Sequence, residues 1–323
     1  MPLLEKTPRG LYCEQADVYI DPDRRVTRAL ITHAHSDHSR PGHKYYLCSP
    51  QTGLLLHHHF GEKINLQTSP YGETVNINGV KFSFHPAGHV FGSAQIRVEY
   101  QGEVWVVSGD YKLEDDGVST PFEAVKCNVF ITESTFGLPQ FRWKPQGNIF
   151  SDIHNWWRRN QEEERLSILM AYPLGKSQHL LRHLDGSTGP VYSDQPAEKI
   201  NHIIRREGIH LLPSPFLTNQ IKPDKLRRAL VIASPAIRKS PWLYQQPSYA
   251  LAMVSGWIAM KKGPVQASLF GDSGFPLSDH ADYEGLHKAV AATGATRVLV
   301  THGYVDYFAK SLREKGLDAD ILK

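Results

Sequence analysis

Four side chains that can hold a metal ion stand within six positions of the sequence. Positions 33–38 read HAHSDH, which supplies three imidazoles and one carboxylate. Alternate residues of an extended segment point the same way, so His33 and His35 can bind one metal ion while Asp37 and His38 turn toward a second position. A lone histidine is usually a core or surface residue, but four potential ligands this close together favour a metal site.

Two more potential ligands follow strand-like segments further along the chain. His89 comes after an alternating segment that ends in Pro-Ala-Gly, and Asp110 comes after an apolar segment that ends in Ser-Gly. The glycine before each residue lets the backbone approach a site closely. Either residue alone is weak evidence for a ligand, and both gain weight beside the 33–38 cluster.

Composition limits the kind of protein that can carry this site. With 323 residues, of which 41% are hydrophobic and 21% charged, the chain is typical of a globular protein, and this length suggests about two domains. Cys13, Cys48 and Cys127 are far apart and form no CxxC, which argues against disulfides and thiolate zinc sites. No signal peptide and no segment long enough to span a membrane is evident, so the sequence predicts a cytoplasmic protein without membrane contact.

Positive charge is concentrated in the middle of the sequence. Residues 142–271 hold 18 Lys and Arg against 9 Asp and Glu, a net charge of +9, whereas the rest holds 18 against 24, a net charge of −6. A polyanionic partner explains this asymmetry better than a neutral small molecule does. A basic solvated face without any partner is the alternative.

The elements that must position these residues change in character along the chain. Up to about residue 135 the pattern predicts short strands and turns, with a hairpin formed by 95–100 and 103–107 and a further strand at 129–132. Beyond residue 143 helices and strands alternate: helix 149–165, strand 166–172, helix 176–184, strands 229–233 and 250–254, helix 283–292, strand 297–301 and helix 305–315. The sequence therefore predicts an α/β fold with a β-rich first part.

The motif HAHSDH, followed by a single histidine and a single aspartate, resembles the signature of the metallo-β-lactamase superfamily. The resemblance implies an αββα sandwich with a two-metal site at the edge of its sheets. It also implies which metal each residue would hold: His33, His35 and His89 the first, Asp37 and His38 the second, with Asp110 bridging the two.

Three later motifs are similar to those of the β-CASP nucleases within this superfamily. Positions 131–137 read ITESTFG, 278–282 read SDHAD and 300–303 read VTHG. Positions 10–14 (GLYCE), 40–43 (RPGH) and 136–139 (FGLP) resemble the bacterial ligase-associated DNA exonucleases. The resemblance implies a discontinuous metallo-β-lactamase domain with an inserted basic β-CASP cap domain, and it suggests an association with an ATP-dependent DNA ligase. The shifts in charge and period place the first domain at 1–141 and 272–323 and the cap domain at 142–271.

Hydrolysis of a phosphodiester suits this set of residues. Two metal ions roughly 3.5–4 Å apart can activate a water and neutralise phosphate oxygens. A shell of His and Asp suits Zn²⁺ and also admits Mn²⁺. His280 is the predicted general acid, and Glu133 would orient the His280 ring and raise its pKa. Asp37 is also predicted to be catalytic. His302 is predicted to bind the second metal ion.

Other segments suggest substrate-binding or metal-binding sites less strongly. Gly175, Lys176 and Ser177 follow a predicted strand and suggest a phosphate site at a helix start, but a P-loop would need glycine where Met170 stands. Arg158 and Arg159 follow two tryptophans, a combination that nucleic-acid surfaces use although one such Trp is usually core. The three histidines at 57–59 point in different directions on a helix and are interpreted as an ordinary helix face.

The resemblance favours a DNA exonuclease that acts at strand ends in repair as the first function hypothesis. An RNA-processing β-CASP nuclease is the alternative, because His302 is the residue type that RNA-acting members carry at the last motif. A small-ester or thioester hydrolase would leave the basic segment and the His280 motif unexplained, and a non-catalytic binding module would not need the full ligand set.

Overall fold

The computed structural model describes residues 2–260 and 271–323, apart from the side chains at positions 223 and 224. The chain divides into two compact units. Unit 1 comprises Met1–Pro139 and His280–Lys323, and unit 2 comprises Gln140–Asp279. The unit boundaries at 139/140 and 279/280 lie two and eight residues from the predicted domain boundaries at 141/142 and 271/272, and the predicted domains stay a prediction.

The first sheet of unit 1 has six strands among the described residues, in the order β1-β2-β3-β4-β5-β6. The strands are β1 (Glu5–Thr7), β2 (Gly10–Cys13), β3 (Val18–Ile20), β4 (Arg28–Leu30), β5 (Tyr45–Cys48) and β6 (Leu66–Thr68). Strands β3 to β6 pair in parallel, so their carboxyl ends meet at one edge of the sheet. Helix α1 (Pro50–Phe60) lies between β5 and β6 in the chain, and Ser49 caps its first turn.

The second sheet of unit 1 has seven strands in the described chain, in the order β18-β17-β11-β10-β9-β8-β7. The strands are β7 (Val75–Ile77), β8 (Val80–Pro86), β9 (Ala94–Tyr100), β10 (Glu103–Val107), β11 (Val129–Ser134), β17 (Arg297–Gly303) and β18 (Asp318–Ile321). The predicted hairpin forms between β9 and β10, with Gln101 and Gly102 in the left-handed conformation that a tight turn requires.

In the second sheet, successive side chains point to opposite faces, and this alternation explains the layers of unit 1. Phe82, Ile96 and Trp105 point to one face and pack against residues of the first sheet, such as Leu30 and Ile20. The opposite face packs on two helices, α7 (Tyr283–Thr293) and α8 (Val305–Glu314), through residues such as Phe130, Val300, Leu286 and Phe308. Unit 1 therefore contains two stacked sheets, with helices covering the outer face of the second.

Unit 2 is built on a sheet whose strands are all parallel, in the order β13-β14-β12-β15-β16. The strands are β12 (Leu166–Met170), β13 (Val191–Ser193), β14 (Leu230–Ala233), β15 (Tyr249–Val254) and β16 (Ser273–Phe275). The helices are α2 (Gln146–Glu162), α3 (Lys176–His183), α4 (Gln195–Arg206), α5 (Pro223–Leu226) and α6 (Pro241–Tyr244), with 3₁₀ turns at Pro235–Lys239 and Gly256–Ala259. A mixed α/β fold with several sheets is thus confirmed.

Two expectations about membranes and cysteines can be compared with the described residues. Among these residues, no helix is both long and apolar enough to cross a lipid bilayer. Cys13 and Cys48 are buried and Cys127 is half-buried, and all three are free thiols.

Candidate metal centre and its partners

The HAHSDH segment begins where β4 leaves the first sheet of unit 1. The backbone amide of Ile31 still bonds to Leu47 of the next strand, and the chain then turns, with the amide of His38 donating to the carbonyl of His35 at 3.1 Å. This turn buries His33 and His38, leaves His35 half-buried and exposes Asp37. The cluster therefore stands at the carboxyl edge of the parallel strands.

His89 and Asp110 reach the same place from the second sheet, just beyond the ends of β8 and β10. Gly109 makes this approach feasible: its φ is +55°, and a Cβ there would lie 2.8 Å from Cβ of Thr32. Any other residue at position 109 would push Asp110 away from the Thr32–His33 segment. The glycine that precedes Asp110 in the sequence is thus explained by the close approach of the two backbone segments.

One carboxylate oxygen lies at the centre of the histidines. Asp110 Oδ2 is 3.7 Å from Nε2 of His33, 3.5 Å from Nε2 of His38 and 3.8 Å from Nε2 of His89. These separations are too long for hydrogen bonds and lie close to the roughly 3.4 Å that separates two ligand atoms on one tetrahedral metal ion. The ligand atoms of His33, His35, His89 and Asp110 all lie within 4.8 Å of one another.

The protonation of His33 supports a metal site. Thr32 Oγ1 donates to Asp21 Oδ2 at 2.5 Å and lies 3.0 Å from Nδ1 of His33. The hydroxyl oxygen therefore accepts a hydrogen bond from the Nδ1–H group, and Nε2 carries the lone pair. That Nε2 is buried and has no hydrogen-bond partner among the described residues. Burial, together with the neighbouring histidines, lowers the pKa of His33 well below its ordinary value. A neutral, buried and unsatisfied imidazole nitrogen is what a divalent cation requires, so these residues fit one.

Asp21 is a site residue that the sequence motifs do not reveal. Its carboxylate accepts hydrogen bonds from the backbone amide and the hydroxyl of Thr32, and it lies 2.8 Å from Nδ1 of His38. Burial alone would lower the pKa of His38, but the charges of Asp110 and Asp21 raise it to about 10. The sequence carries no local signal for Asp21, which reaches the site because it directly follows β3, and β3 pairs in parallel with the strand that leads to His33.

The second predicted metal position is less compact. His38 Nε2 lies 3.9 Å from Asp37 Oδ2, and the rings of His38 and His302 have centroids 5.3 Å apart. A cavity of about 100 Å³ beside them is lined by Asp21, Asp37, His38 and His302, among other residues. The structure brings the predicted second ligand set into one neighbourhood, and a second metal ion there stays a prediction.

His302 is held in an unusual backbone conformation by Ser134. The φ of His302 is +52°, in the left-handed region that non-glycine residues rarely occupy. The buried Ser134 hydroxyl donates to the His302 carbonyl, and the Ser134 carbonyl accepts from the amide of Tyr304 at 2.9 Å. Because Ser134 is the last residue of β11, this strand fixes the turn that presents His302.

Glu133 and His280 form a pair beside the metal candidates. Both carboxylate oxygens of the buried Glu133 lie 3.0–3.1 Å from Nδ1 of His280, and Oε1 also accepts from the amide of Tyr111 at 2.8 Å. Burial alone would raise the pKa of Glu133, but His280 and these hydrogen bonds lower it below its ordinary value. The His280 ring lies 4.5 Å from that of His89, which puts the pair next to the candidate ligands.

The predicted substrate-binding residues of unit 2 have mixed outcomes. Lys176 is buried, and its ammonium contacts both carboxylate oxygens of Asp279 at 2.5 and 2.6 Å, while Ser177 donates to the carbonyl of Tyr172. These side chains, next to Gly175, are therefore engaged inside the protein, and the predicted phosphate contact is not what the structure presents. Arg158 and Arg159 are exposed on α2.

Neighbouring residues of Arg158 and Arg159 change how that segment is interpreted. Trp156 and Trp157, expected to divide between core and surface, are both buried. The groove along the two arginines also contains Asp152, Glu162 and Asp272, so its charge is mixed. His58 and His59 are exposed and His57 is half-buried on α1, as an ordinary helix face.

Comparison with known proteins finds relatives along most of the chain. A protein named "Probable DNA ligase" from Opitutus terrae is 34% identical over 322 residues, which is 99% of this chain and 31% of that protein. Endoribonuclease YSH1 of Saccharomyces cerevisiae is 32% identical over 124 residues, covering 37% of this chain and 15% of the relative. Cleavage and polyadenylation specificity factor subunit 3 of Dictyostelium discoideum is 32% identical over 121 residues, covering 36% of this chain and 15% of the relative. The chain thus spans about a third or less of the length of these relatives.

Comparison of structures adds evidence on the fold alone. A crystal structure of a protein of unknown function from Enterococcus faecalis superposes with a TM-score of 0.59 at 12% identity, over 85% of this chain and 75% of that one. No protein-family model matches the sequence. The grouped ligands and the relatives together support a relationship between this chain and the β-CASP branch of the metallo-β-lactamase proteins.

Proposed function

We propose that this chain is a metal-dependent nuclease that hydrolyses phosphodiester bonds at DNA ends. One observation carries the proposal: Asp110 Oδ2 lies 3.5–3.8 Å from three histidine Nε2 atoms, next to the pair formed by the buried Glu133 and the half-buried His280. In this proposal unit 1 is a metallo-β-lactamase αββα sandwich and unit 2 is a β-CASP cap. The matched relatives named for nuclease and ligase activities support the choice of a nucleic-acid substrate.

Two divalent cations, Zn²⁺ or Mn²⁺, would supply the positive charge and the activated water for in-line attack on the phosphate. The first cation would be held by His33, His35 and His89, and the second by Asp37, His38 and His302. Asp110 would bind both cations. Asp21 and Thr32 orient two of these imidazoles through contacts at their Nδ1 atoms, which leaves each Nε2 facing Asp110.

Proton transfer to the leaving sugar oxygen would fall to His280. Its Nδ1 faces the Glu133 carboxylate, so its Nε2 is the atom that would deliver the proton. Glu133 stays ionised because its pKa is lowered, and a negative partner favours the charged imidazolium that an acid must start from.

A second candidate substrate is RNA. Two of the matched relatives are named as an endoribonuclease and as a cleavage and polyadenylation factor, and His302 is the residue type that the RNA-acting branch carries. The relative named as a DNA ligase favours DNA, and it also motivates the proposed association with an ATP-dependent DNA ligase.

The test is digestion of end-labelled DNA and RNA of identical sequence by the protein loaded with Zn²⁺ or Mn²⁺. We expect the DNA to be shortened from its ends, and Asp110→Ala to lose both activity and metal, measured by elemental analysis. Faster digestion of RNA would replace the first candidate with the second. Activity that persists in protein free of first-row metals would refute the proposal.

A further inference from the structure

Three exposed aromatic side chains of unit 2 lie at one edge of its parallel sheet. Tyr172, Phe216 and Trp257 are 52%, 44% and 40% exposed, although aromatic side chains of this size are usually buried. Tyr172 follows β12 and Trp257 follows β15, and these two strands are neighbours. Because all strands of the sheet are parallel, both residues leave it at the carboxyl edge.

Phe216 reaches the same edge from another part of the chain. It pairs with Ser193, the last residue of β13, and the amide of Leu217 donates to the Ser193 carbonyl at 2.8 Å. Strand order places β13, β12 and β15 across the sheet, with β14 between β13 and β12. Because Phe216 lies one strand spacing beyond β13 and strands are about 4.8 Å apart, the three aromatic residues are spread along an edge of about 19 Å.

The charges at this edge favour an anionic partner. The Asp279 carboxylate is paired with Lys176, and the Asp194 carboxylate accepts from the amides of Ala197 and Ser234. The acids at the strand ends are therefore already engaged inside the protein. Arg238 and Lys239 follow β14, between β13 and β12, and add positive charge.

We propose that this aromatic edge, defined by Tyr172, Phe216 and Trp257, binds the unpaired bases of a single-stranded nucleic acid. The inference rests on the proposed nuclease function and specifies its substrate as a strand with unpaired bases. Aromatic rings stack on the faces of bases, and only unpaired bases can turn those faces toward a protein, whereas the basic residues hold the phosphates. An aromatic patch with adjoining positive charge fits this ligand better than an apolar peptide.

The experiment compares two probes with the same backbone charge. Binding of the metal-loaded protein is measured by fluorescence anisotropy with a phosphorothioate oligothymidine, which resists hydrolysis, and with an abasic phosphorothioate strand of equal length. We expect the base-bearing probe to bind about tenfold tighter or more, since each stacked base contributes on that scale. The probe should also quench tryptophan fluorescence.

Variants assign that preference to the aromatic edge. Tyr172→Leu and Trp257→Leu should each weaken binding of the oligothymidine by roughly fivefold to a hundredfold and leave the abasic probe unchanged. Trp257→Tyr keeps a stacking ring and should retain most of the affinity, which separates stacking from damage to the fold. Tyr307→Leu is the matched control, because Tyr307 is 45% exposed in unit 1 and should affect neither probe.

Two kinds of failure can be told apart. Equal binding of the two probes, or unchanged oligothymidine binding in the leucine variants, would overturn the inference. If the same protein still digests nucleic acid, the proposed function stands. A protein that neither binds nor cleaves any nucleic acid would refute the proposed function itself. Aromatic variants that lose a protein partner and keep nucleic-acid binding would assign this edge to protein contact instead.

Discussion

Asp21 organises the candidate metal centre although it is not itself a predicted ligand. It fixes His38 directly and His33 through the Thr32 hydroxyl, so one carboxylate determines which nitrogen of each ring faces the centre. Partners of this kind raise the basicity of ligand histidines and limit their rotation. The affinity for metal should therefore depend on a residue outside the HAHSDH motif.

Replacing Asp21 with Asn tests this dependence. The amide keeps the size of the side chain but loses the charge and one acceptor, so metal affinity should fall about 10-fold to 100-fold. Competition with a chelator measures the change. Asp17→Asn is the control, since Asp17 forms an exposed ion pair with Arg28 at 3.2 Å, and equal losses in both variants would contradict the assignment.

His280 and Glu133 provide a test of proton transfer. His280→Ala should retain metal and lose on the order of 10²–10⁴ in rate, the usual contribution of a positioned acid. Glu133→Gln should lose less, and the double variant should be no worse than His280→Ala because both act as one unit. A substrate with a sulfur leaving atom needs little protonation, so His280→Ala should cleave it almost as fast as wild type. Loss of metal in His280→Ala would instead make His280 a ligand.

At the scale of elements, strand ends and the turns beyond them position the site. Strands β4, β8, β10 and β17 each stop close to a predicted ligand. The last of these turns is tight: Gly303 has φ +76°, and a Cβ there would lie 2.3 Å from the Ser134 carbonyl oxygen. The conformation of His302 thus depends on the absence of a side chain at the next position.

Gly303→Ala should destabilise the protein more than the cost of a left-handed alanine, which is about 1 kcal/mol. Gly294→Ala isolates that cost, because Gly294 is left-handed with φ +66° and ψ +19°, and the atoms nearest to an added Cβ lie 3.8–3.9 Å away, in ordinary contact. Urea denaturation of both variants gives the two free energies of unfolding. Equal losses would show that the Ser134 contact does not constrain the turn.

His43 connects the two loop segments that lead into β4 and β5, and its burial predicts a pH dependence of stability. Its Nδ1 accepts from the amide of Val26, and burial lowers the pKa of His43 to about 4. The unfolded chain takes up this proton near pH 6.5, so the folded state loses stability as pH falls from 6.5 toward 4, by about 1–2 kcal/mol at pH 5.

The measurement compares the free energy of unfolding at pH 7 and pH 5. His43→Asn keeps an acceptor for the Val26 amide and cannot titrate in this range, so the loss between the two pH values should be smaller than in wild type. His58→Asn, on the exposed face of α1, should show the wild-type loss. The same loss in all three proteins would contradict the prediction.

At the scale of the whole molecule, the charge asymmetry predicts how binding responds to salt. Residues 142–271 carry a net charge of +9, with 18 Lys and Arg against 9 Asp and Glu. Each neutralised phosphate of a single strand contributes a slope of about −0.7 to the logarithmic salt dependence. Nucleic-acid affinity should therefore fall steeply with salt and should reside in this segment.

Reversing the charge of Arg158 and Arg159 together should weaken binding and reduce that slope by about 1 to 1.5, with metal content unchanged. Lys288 and Lys310, exposed in unit 1, provide a matched pair whose reversal should leave the slope nearly as in wild type. Titrations at several salt concentrations give the slopes. A flat salt dependence in wild type would rule out the segment as a phosphate-binding surface.

The sequence alone determined the local elements and the chemical types at the site. Periodicity placed the β9–β10 hairpin and helices α2, α3, α7 and α8 to within a few residues, because burial on one face imposes a repeat that local sequence shows. The helix α4 was not predicted, although Asp194 caps its start and its first turn contains proline. The cluster of His and Asp was visible because its members are neighbours in the chain.

Contacts in the folded protein determine which distant residues come together and which charged side chains are already paired with each other. Asp21 joined the site because β3 and β4 pair side by side, and pairing between strands leaves no local mark on a single aspartate. Lys176 does not present a free charge at the predicted phosphate site, because it forms a buried ion pair with Asp279, which lies 103 positions further along the chain. The sequence gives the type of each side chain. Whether that side chain is buried, and which partner it has, depends on contacts between segments that lie far apart in the chain. Burial and partner in turn set the pKa and the charge of the side chain, and so the role it can play.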